Sequence, residues 1–99
     1  MILEIAQIEI LSQKNEEFEE AFNFAVKNIL TKAKGFIFHE MNRCIENPEK
    51  YVLLIQWETL EDHTEGFRKS ELFAQWREVI GKFFASPPVV YHYKNINLS

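Results

Sequence analysis

The sequence has one cysteine, Cys44, and only three glycines and three prolines among its 99 residues. A single thiol excludes an internal disulfide and any zinc cage built from cysteines. With no partner motif beside it, Cys44 reads as a small, half-buried strand residue. Three isolated glycines cannot make a phosphate-cradling loop, so a nucleotide-binding turn is excluded. Ser12, Ser70 and Ser86 sit at boundaries, as caps and turns require, and none lies in a Gly-x-Ser-x-Gly elbow, which argues against a hydrolase. Positive charge is also scarce: eleven Lys and Arg against fifteen Asp and Glu leave a net charge of -4. The basic residues are scattered, so neither nucleic acid nor an anionic membrane finds the stripe it needs. No stretch approaches the roughly 18 apolar residues that span a bilayer. The opening "MILEIAQIEI" is acidic and alternating, unlike a signal peptide. The expected compartment is the cytoplasm. The three histidines, His39, His63 and His92, are far apart and lack helical ligand spacing, so no metal is expected.

What is abundant is apolar surface: the hydrophobic content is 46%, with nine phenylalanines. That is enough for one core in one domain, residues 1–99. "ILEIAQIEIL" is rich in β-branched residues and predicts a strand from about Ile2 to Leu11. The period then changes. Phe18, Phe22, Ala25, Ile29 and Ala33 recur at steps of three and four, the stripe of an amphipathic helix. Glu16, Glu17, Glu19 and Glu20 open it and Lys27, Lys32 and Lys34 close it, matching the helix dipole; the acidic cluster needs no metal to explain it. Gly35 supplies the stop, since it can take a positive φ just past a helix. "FIFHEMNRC" and "YVLLIQW" follow as strands, joined through the Asn47-Pro48 turn. Thr59 with Asp62 caps a short helix from Leu60 towards Phe67, loosened by Gly66. Ser70 caps a second piece whose inward stripe is Phe73, Trp76, Ile80 and Phe83. Pro87 and Pro88 end it, and "VVYHYKNI" is the last strand.

The order β-α-β-β-α-β is the ferredoxin-like split βαβ arrangement: an α+β fold with a four-stranded antiparallel sheet and both helices on one face. Such a sheet should be polar on its other face. Instead "YVLLI" is apolar at both parities, as are Ile8, Ile10 and Leu11, and Val89, Tyr91 and Tyr93 alternate with Val90, His92 and Ile96. With no third helix available, a second copy of the sheet is the expected cover, and the protein is expected to be a homodimer.

The segment from Gln56 to Tyr93 resembles the antibiotic biosynthesis monooxygenase family of dimeric α+β barrels. The shared features are Trp57-Glu58 at a strand end, Ser70 with Phe73 opening a helix, the Pro87-Pro88 break, and the aromatic strand Tyr91-His92-Tyr93. The first half matches in pattern only, through its apolar strand, acidic helix start and Gly35-Phe36. The resemblance implies oxidation of a small aromatic or polycyclic compound by molecular oxygen without flavin, haem or metal. The substrate, deprotonated in a dry pocket, reduces oxygen itself, while the protein supplies desolvation, orientation and a proton acceptor.

A related branch degrades haem with an Asn, a Trp and a His. Those positions fall here near Ala6 (with Gln7 beside it), on Phe67 and on Arg77, and an arginine cannot act as the neutral axial ligand of iron. The resemblance implies a pocket between helices and sheet, lined by Ala6, Phe38, Phe67, Trp76 and Arg77. His39 and His92 are the candidate bases, because their ordinary pKa suits proton transfer near neutrality. Phe38 and His39 are adjacent on a strand and cannot both enter one pocket. Plain core packing also explains Phe67 and Trp76. The alternative function is a non-catalytic or isomerase-like dimer that binds a small molecule. A closed pocket holding a buried histidine or a tyrosine hydroxyl would favour the oxygenase; a pocket filled by Phe and Trp, with no titratable group inside, would favour the binder.

Overall fold

The computed structural model describes residues 1–98 and follows the expected order. β1 (Ile2–Glu9) leads to α1 (Asn15–Asn28), then β2 (Phe36–Arg43) and β3 (Lys50–Trp57). A π-helical turn (Asp62–Phe67), α2 (Glu71–Ile80) and β4 (Val89–Lys94) complete the chain. The strands lie in the order β2-β3-β1-β4, every neighbouring pair antiparallel. This is the ferredoxin-like sheet that the alternation of period predicts. β1 is shorter than its apolar run suggests, because Ile10 leaves the sheet to bridge Phe84. Leu11 N–H donates to Phe83 O at 2.8 Å and Ala85 N–H to Glu9 O at 2.8 Å, tying the exit of α2 to the end of β1.

One face of the sheet forms the core. Tyr51, Leu53, Ile55 and Trp57 alternate inward along β3, and the register sets Ile8, Ala6 and Glu4 beside them on β1. Phe18, Phe22, Ala25 and Val26 of α1 close over this surface, with Phe18 edge-on to Tyr51 at 5.0 Å. The predicted helical stripe continues through Ile29 and Ala33, both buried, although α1 ends at Asn28 and a 3-10 turn carries the last of it. Glu16 and Glu17 in the first turn and Lys27 in the last give the expected dipole match. Trp76 and Ile80 anchor α2.

The other face is open and largely apolar, with Gln7, Glu40, Asn42 and Gln56 interspersed. Leu3, Ile5, Val52 and Leu54 are half-buried there, with Phe38, Val89, Tyr91 and Tyr93 exposed around them. Phe38 reaches this face through a β-bulge. The register shifts between Phe36 and Phe38, so simple alternation from the core-packed Phe36 fails and His39 turns inward instead.

Gly35 sits between α1 and β2 with φ +83, and a Cβ there would collide with the Asp62 carboxyl. Asp62 is itself fixed, because its amide N–H donates to Thr59 Oγ1 at 3.1 Å. Gly35→Ala should therefore destabilise the protein by about 1–3 kcal/mol, through positive φ and the collision together. Adding Asp62→Ala should recover only the carboxyl's part of the collision, because the Cβ of residue 62 would still lie 2.7 Å from the new methyl group. Equal denaturation midpoints for Gly35→Ala and the parent would contradict this account of the turn.

Candidate active site

The sheet register and one irregular turn bring three titratable side chains together. Glu4 lies on the core-facing parity of β1, with Ile55 on one side and His92 of β4 on the other. The π-helical turn then lays His63 over them. Its defining bond runs from Arg68 N–H to His63 O, five residues back, at 2.9 Å. Such turns are rare and favour functional sites, because they offset side chains that an α-helix would hold in line. Here His63 and Phe67 both face inward, 4% exposed each. The His63 ring stacks on Trp57 at 5.2 Å and 17°. Ser70 starts α2 but does not cap it as expected: its hydroxyl donates back to Phe67 O at 2.7 Å, closing the turn.

Trp57 Nε1–H donates to Glu4 Oε1 at 2.9 Å, and His63 Nε2 lies 3.3 Å from the same oxygen. On its far side His63 Nδ1 meets His92 Nε2 at 2.7 Å. With Glu4 ionised, one proton arrangement satisfies every contact. His92 Nε2–H donates to His63 Nδ1, His63 Nε2–H donates to Glu4 Oε1, and Trp57 supplies the second donor to that oxygen. Among the described residues no hydrogen bond reaches Glu4 Oε2, which leaves that oxygen to take up or release a proton.

Burial controls the charge of this cluster. Loss of hydration raises the Glu4 pKa to about 7, against smaller lowering effects of the Trp57 hydrogen bond and the Arg68 guanidinium. His63 is pushed down to about 4, first by burial and then by His92 and Arg68. His92 is lowered by burial and by Arg68. Both histidines are thus neutral near pH 7, and the His63–Glu4 contact is a hydrogen bond rather than an ion pair.

Glu4 and His63 form one end of a cleft of about 940 Å³ between the sheet and the segment from Phe67 to Pro88. Of the expected site residues, Ala6, Phe67, Trp76 and Arg77 line it. Phe67 packs edge-on to Trp76 at 6.1 Å, so the pair serves as cleft wall and core at once. His92 adjoins the cleft through His63. Phe38 does not line it, because the bulge turns this side chain to the opposite face, 49% exposed. His39 faces the core but packs against Phe22 and Phe36, at 6.0 and 6.3 Å, away from the cleft. Spacing along the chain concealed the pairing of His63 with His92. Glu4 and His63 had a usable signal, since Glu4 shares its strand parity with Ala6 and Ile8, and His63 lies one helical turn before Phe67.

Two layers, with both helices on one face of an antiparallel sheet and an acid–histidine cluster bordering an aromatic cleft, define a ferredoxin-like α+β domain. The chain belongs to the antibiotic biosynthesis monooxygenase family, whose sequence model matches residues 1–79. It is 41% identical over 96 residues to the Bacillus subtilis protein YczJ, itself uncharacterised, covering 97% of this chain and all of that one. A crystal structure from Bordetella bronchiseptica, assigned to the same family, superposes with a TM-score of 0.91 at 34% identity, covering 97% of each chain. SnoaB, a cofactor-independent oxygenase from Streptomyces nogalater, shares the fold with a TM-score of 0.79 at 12% identity, over 98% of this chain and 94% of that one. Among the described residues, no helix is long and apolar enough to cross a membrane.

The cluster should shape stability against pH. Glu4 has a folded pKa above its ordinary 4.5, so its contribution is complete below about pH 4.5 and is lost as pH rises through 7. His63, depressed to about 4, has the opposite sign: its contribution is complete above 6.5 and is lost as pH falls towards 4. Between about 4.5 and 6.5 the two slopes offset, and beyond 6.5 the Glu4 slope stands alone. Thermal unfolding should therefore show the parent losing stability from pH 6.5 to 8 relative to Glu4→Gln. The full cost of ionising Glu4 is on the order of 3 kcal/mol. Parallel curves for the two proteins would show that Glu4 ionises without penalty.

Proposed function

We propose that this protein is a cofactor-independent monooxygenase that oxidises a small aromatic or polycyclic compound with molecular oxygen, with Glu4 as the base. The observation that carries this reading is the Glu4 carboxyl, buried on an aromatic cleft and bonded to Trp57 and His63, where loss of hydration raises its pKa to about 7. A base is most effective when its pKa lies near the working pH, and burial supplies that value here. Family membership supports the reaction class. A binding protein needs no titratable group in its cleft, so the buried acid–histidine cluster favours catalysis over the binding-only alternative.

The chemistry balances without an outside reductant. An acidified ring CH₂ loses one proton to Glu4 Oε2, and the resulting carbanion passes an electron to oxygen. The radical pair then forms a C–O bond, and Glu4 returns its proton to the peroxide. Loss of water, which takes the second hydrogen, leaves a carbonyl. One oxygen atom enters the product and the other leaves as water. In this scheme Trp57 and His63 hold Oε1, and His92 fixes the tautomer of His63; His92 is thus a positioning residue rather than the base. Phe67 and Trp76 offer faces for a planar ring and keep water from the carbanion. His39 and Phe38 have no part in the site.

Oxygen uptake on an anthrone, whose acidic ring CH₂ becomes a carbonyl, is the direct assay. Activity should rise through about pH 7 as Glu4 ionises, in surroundings set by Trp57 on β3, His63 and Arg68 at the π turn and His92 on β4. Glu4→Gln, which keeps the shape but cannot accept a proton, should lower the rate by about 10²–10⁴-fold. A Glu4→Gln protein with parental kcat would remove Glu4 from the chemistry.

The same reading includes a homodimer in the cytoplasm, paired through the open sheet face. Leu54 and Val52 lie on that face with Ile5 and Gln7 of β1 on one side and Glu40 and Asn42 of β2 on the other; Tyr91 follows beyond Ile5. Soluble monomers seldom leave so contiguous an apolar surface in water. Leu54→Asp should convert a dimer seen by light scattering at micromolar concentration into monomer or aggregate. A parent protein that is monomeric under those conditions would contradict this part of the reading.

A further inference from the structure

The mouth of the cleft is positively charged on a protein that is negative overall. Arg68, just past the π turn, and Arg77, on α2, both line it. Their guanidinium carbons lie 6.0 and 5.9 Å from the centroid of one ring, Phe73, so two separate elements each bring a positive charge to that side chain. Among the described residues neither arginine pairs with a carboxylate, whereas Arg43, the third arginine, pairs with Glu19 at 3.2 Å. Glu78 and Glu4 are the acidic groups that border the cleft. Glu4 is buried and bonded to Trp57 and His63; when ionised it offsets part of the Arg68 charge, and Arg77 remains. A neutral ring system would leave two guanidinium groups without the charge-assisted bonds they form best.

We infer that the substrate is a planar aromatic compound carrying an anionic substituent, such as a carboxylate or sulfonate, held by Arg68 and Arg77 while its acidic hydrogen faces Glu4. This rests on the proposed oxygenase reading and adds the class of substrate. The geometry gives each part of such a molecule a partner. The rings lie between Phe67, Trp76 and Phe73, the anion stays at the wetter mouth, and the reacting carbon lies in the dry end. The same two cations also lower the cost of a second negative charge when the substrate is deprotonated.

Calorimetric titration of the intact protein tests this with two probes that differ by one group: 1-naphthol and 5-hydroxynaphthalene-1-sulfonate. The sulfonate should bind about tenfold or more tightly, an advantage that shrinks as salt is raised. Arg68→Gln and Arg77→Gln, checked for an intact fold by circular dichroism, should each remove most of that advantage and leave naphthol affinity within about twofold. Arg68→Lys should retain part of it, since the charge survives without the planar fork. Equal affinity of the two probes, loss of affinity for both in the glutamine variants, or no binding of either would overturn the inference. These outcomes do not depend on turnover. A catalytically inert protein can still show the sulfonate preference, and an active one can lack it.

Discussion

A carboxyl group on an inner strand of the sheet is held almost wholly out of water, and the rest of the site is arranged around that fact. Removing hydration from Glu4 disfavours its charge, and the Trp57 hydrogen bond and the Arg68 guanidinium restore only part of the loss. A strand residue can be buried this way because β1 is paired on both sides and covered by helices on one face. Its neighbours are then fixed by the ladder: His92 by the β4 register, and Trp57 at the end of β3 beside Ile2.

The π turn supplies what the sheet cannot. A regular helix following Trp57 would carry His63 and Phe67 past the edge of the sheet in line, with no offset. The widened turn stacks His63 on Trp57 and points its two ring nitrogens at Glu4 and His92. Phe67 then borders the cleft, and Arg68, the next residue, turns to its mouth. Packing and chemistry share the same side chains here. Trp57 is fully buried and also a hydrogen-bond donor to the carboxylate, so its loss would affect stability and site together.

Much of this was legible in the sequence because periodicity reports which face a residue occupies. The switch from period two to period 3.6 and back gave the order of elements, and the apolar "YVLLI" run pointed to a sheet with two greasy faces. Resemblance led to Ala6, Phe67, Trp76 and Arg77, although the family model's match over residues 1–79 takes in the first half, where the residues gave only a pattern. Phe38 was misplaced because a bulge breaks the alternation on which such readings depend. Glu4 was passed over because one acid in an alternating strand looks like a solvent-facing residue, yet its parity is that of Ala6, Ile8 and Ile10. The His63–His92 contact spans 29 residues and depends on both the register and the π turn, neither of which leaves a local mark.

The account rests on Glu4 being neutral at mildly acidic pH and ionising near neutrality inside the folded protein. Difference infrared spectroscopy of the parent against Glu4→Gln reads this directly, through the stretch of a protonated carboxyl group. The account predicts a single buried-carboxyl band, present at about pH 5 and lost with a midpoint near 7, that is missing from Glu4→Gln. A carboxyl that titrates near its ordinary 4.5 would contradict it, since Glu4 would then be a hydrated carboxylate rather than a base made by burial.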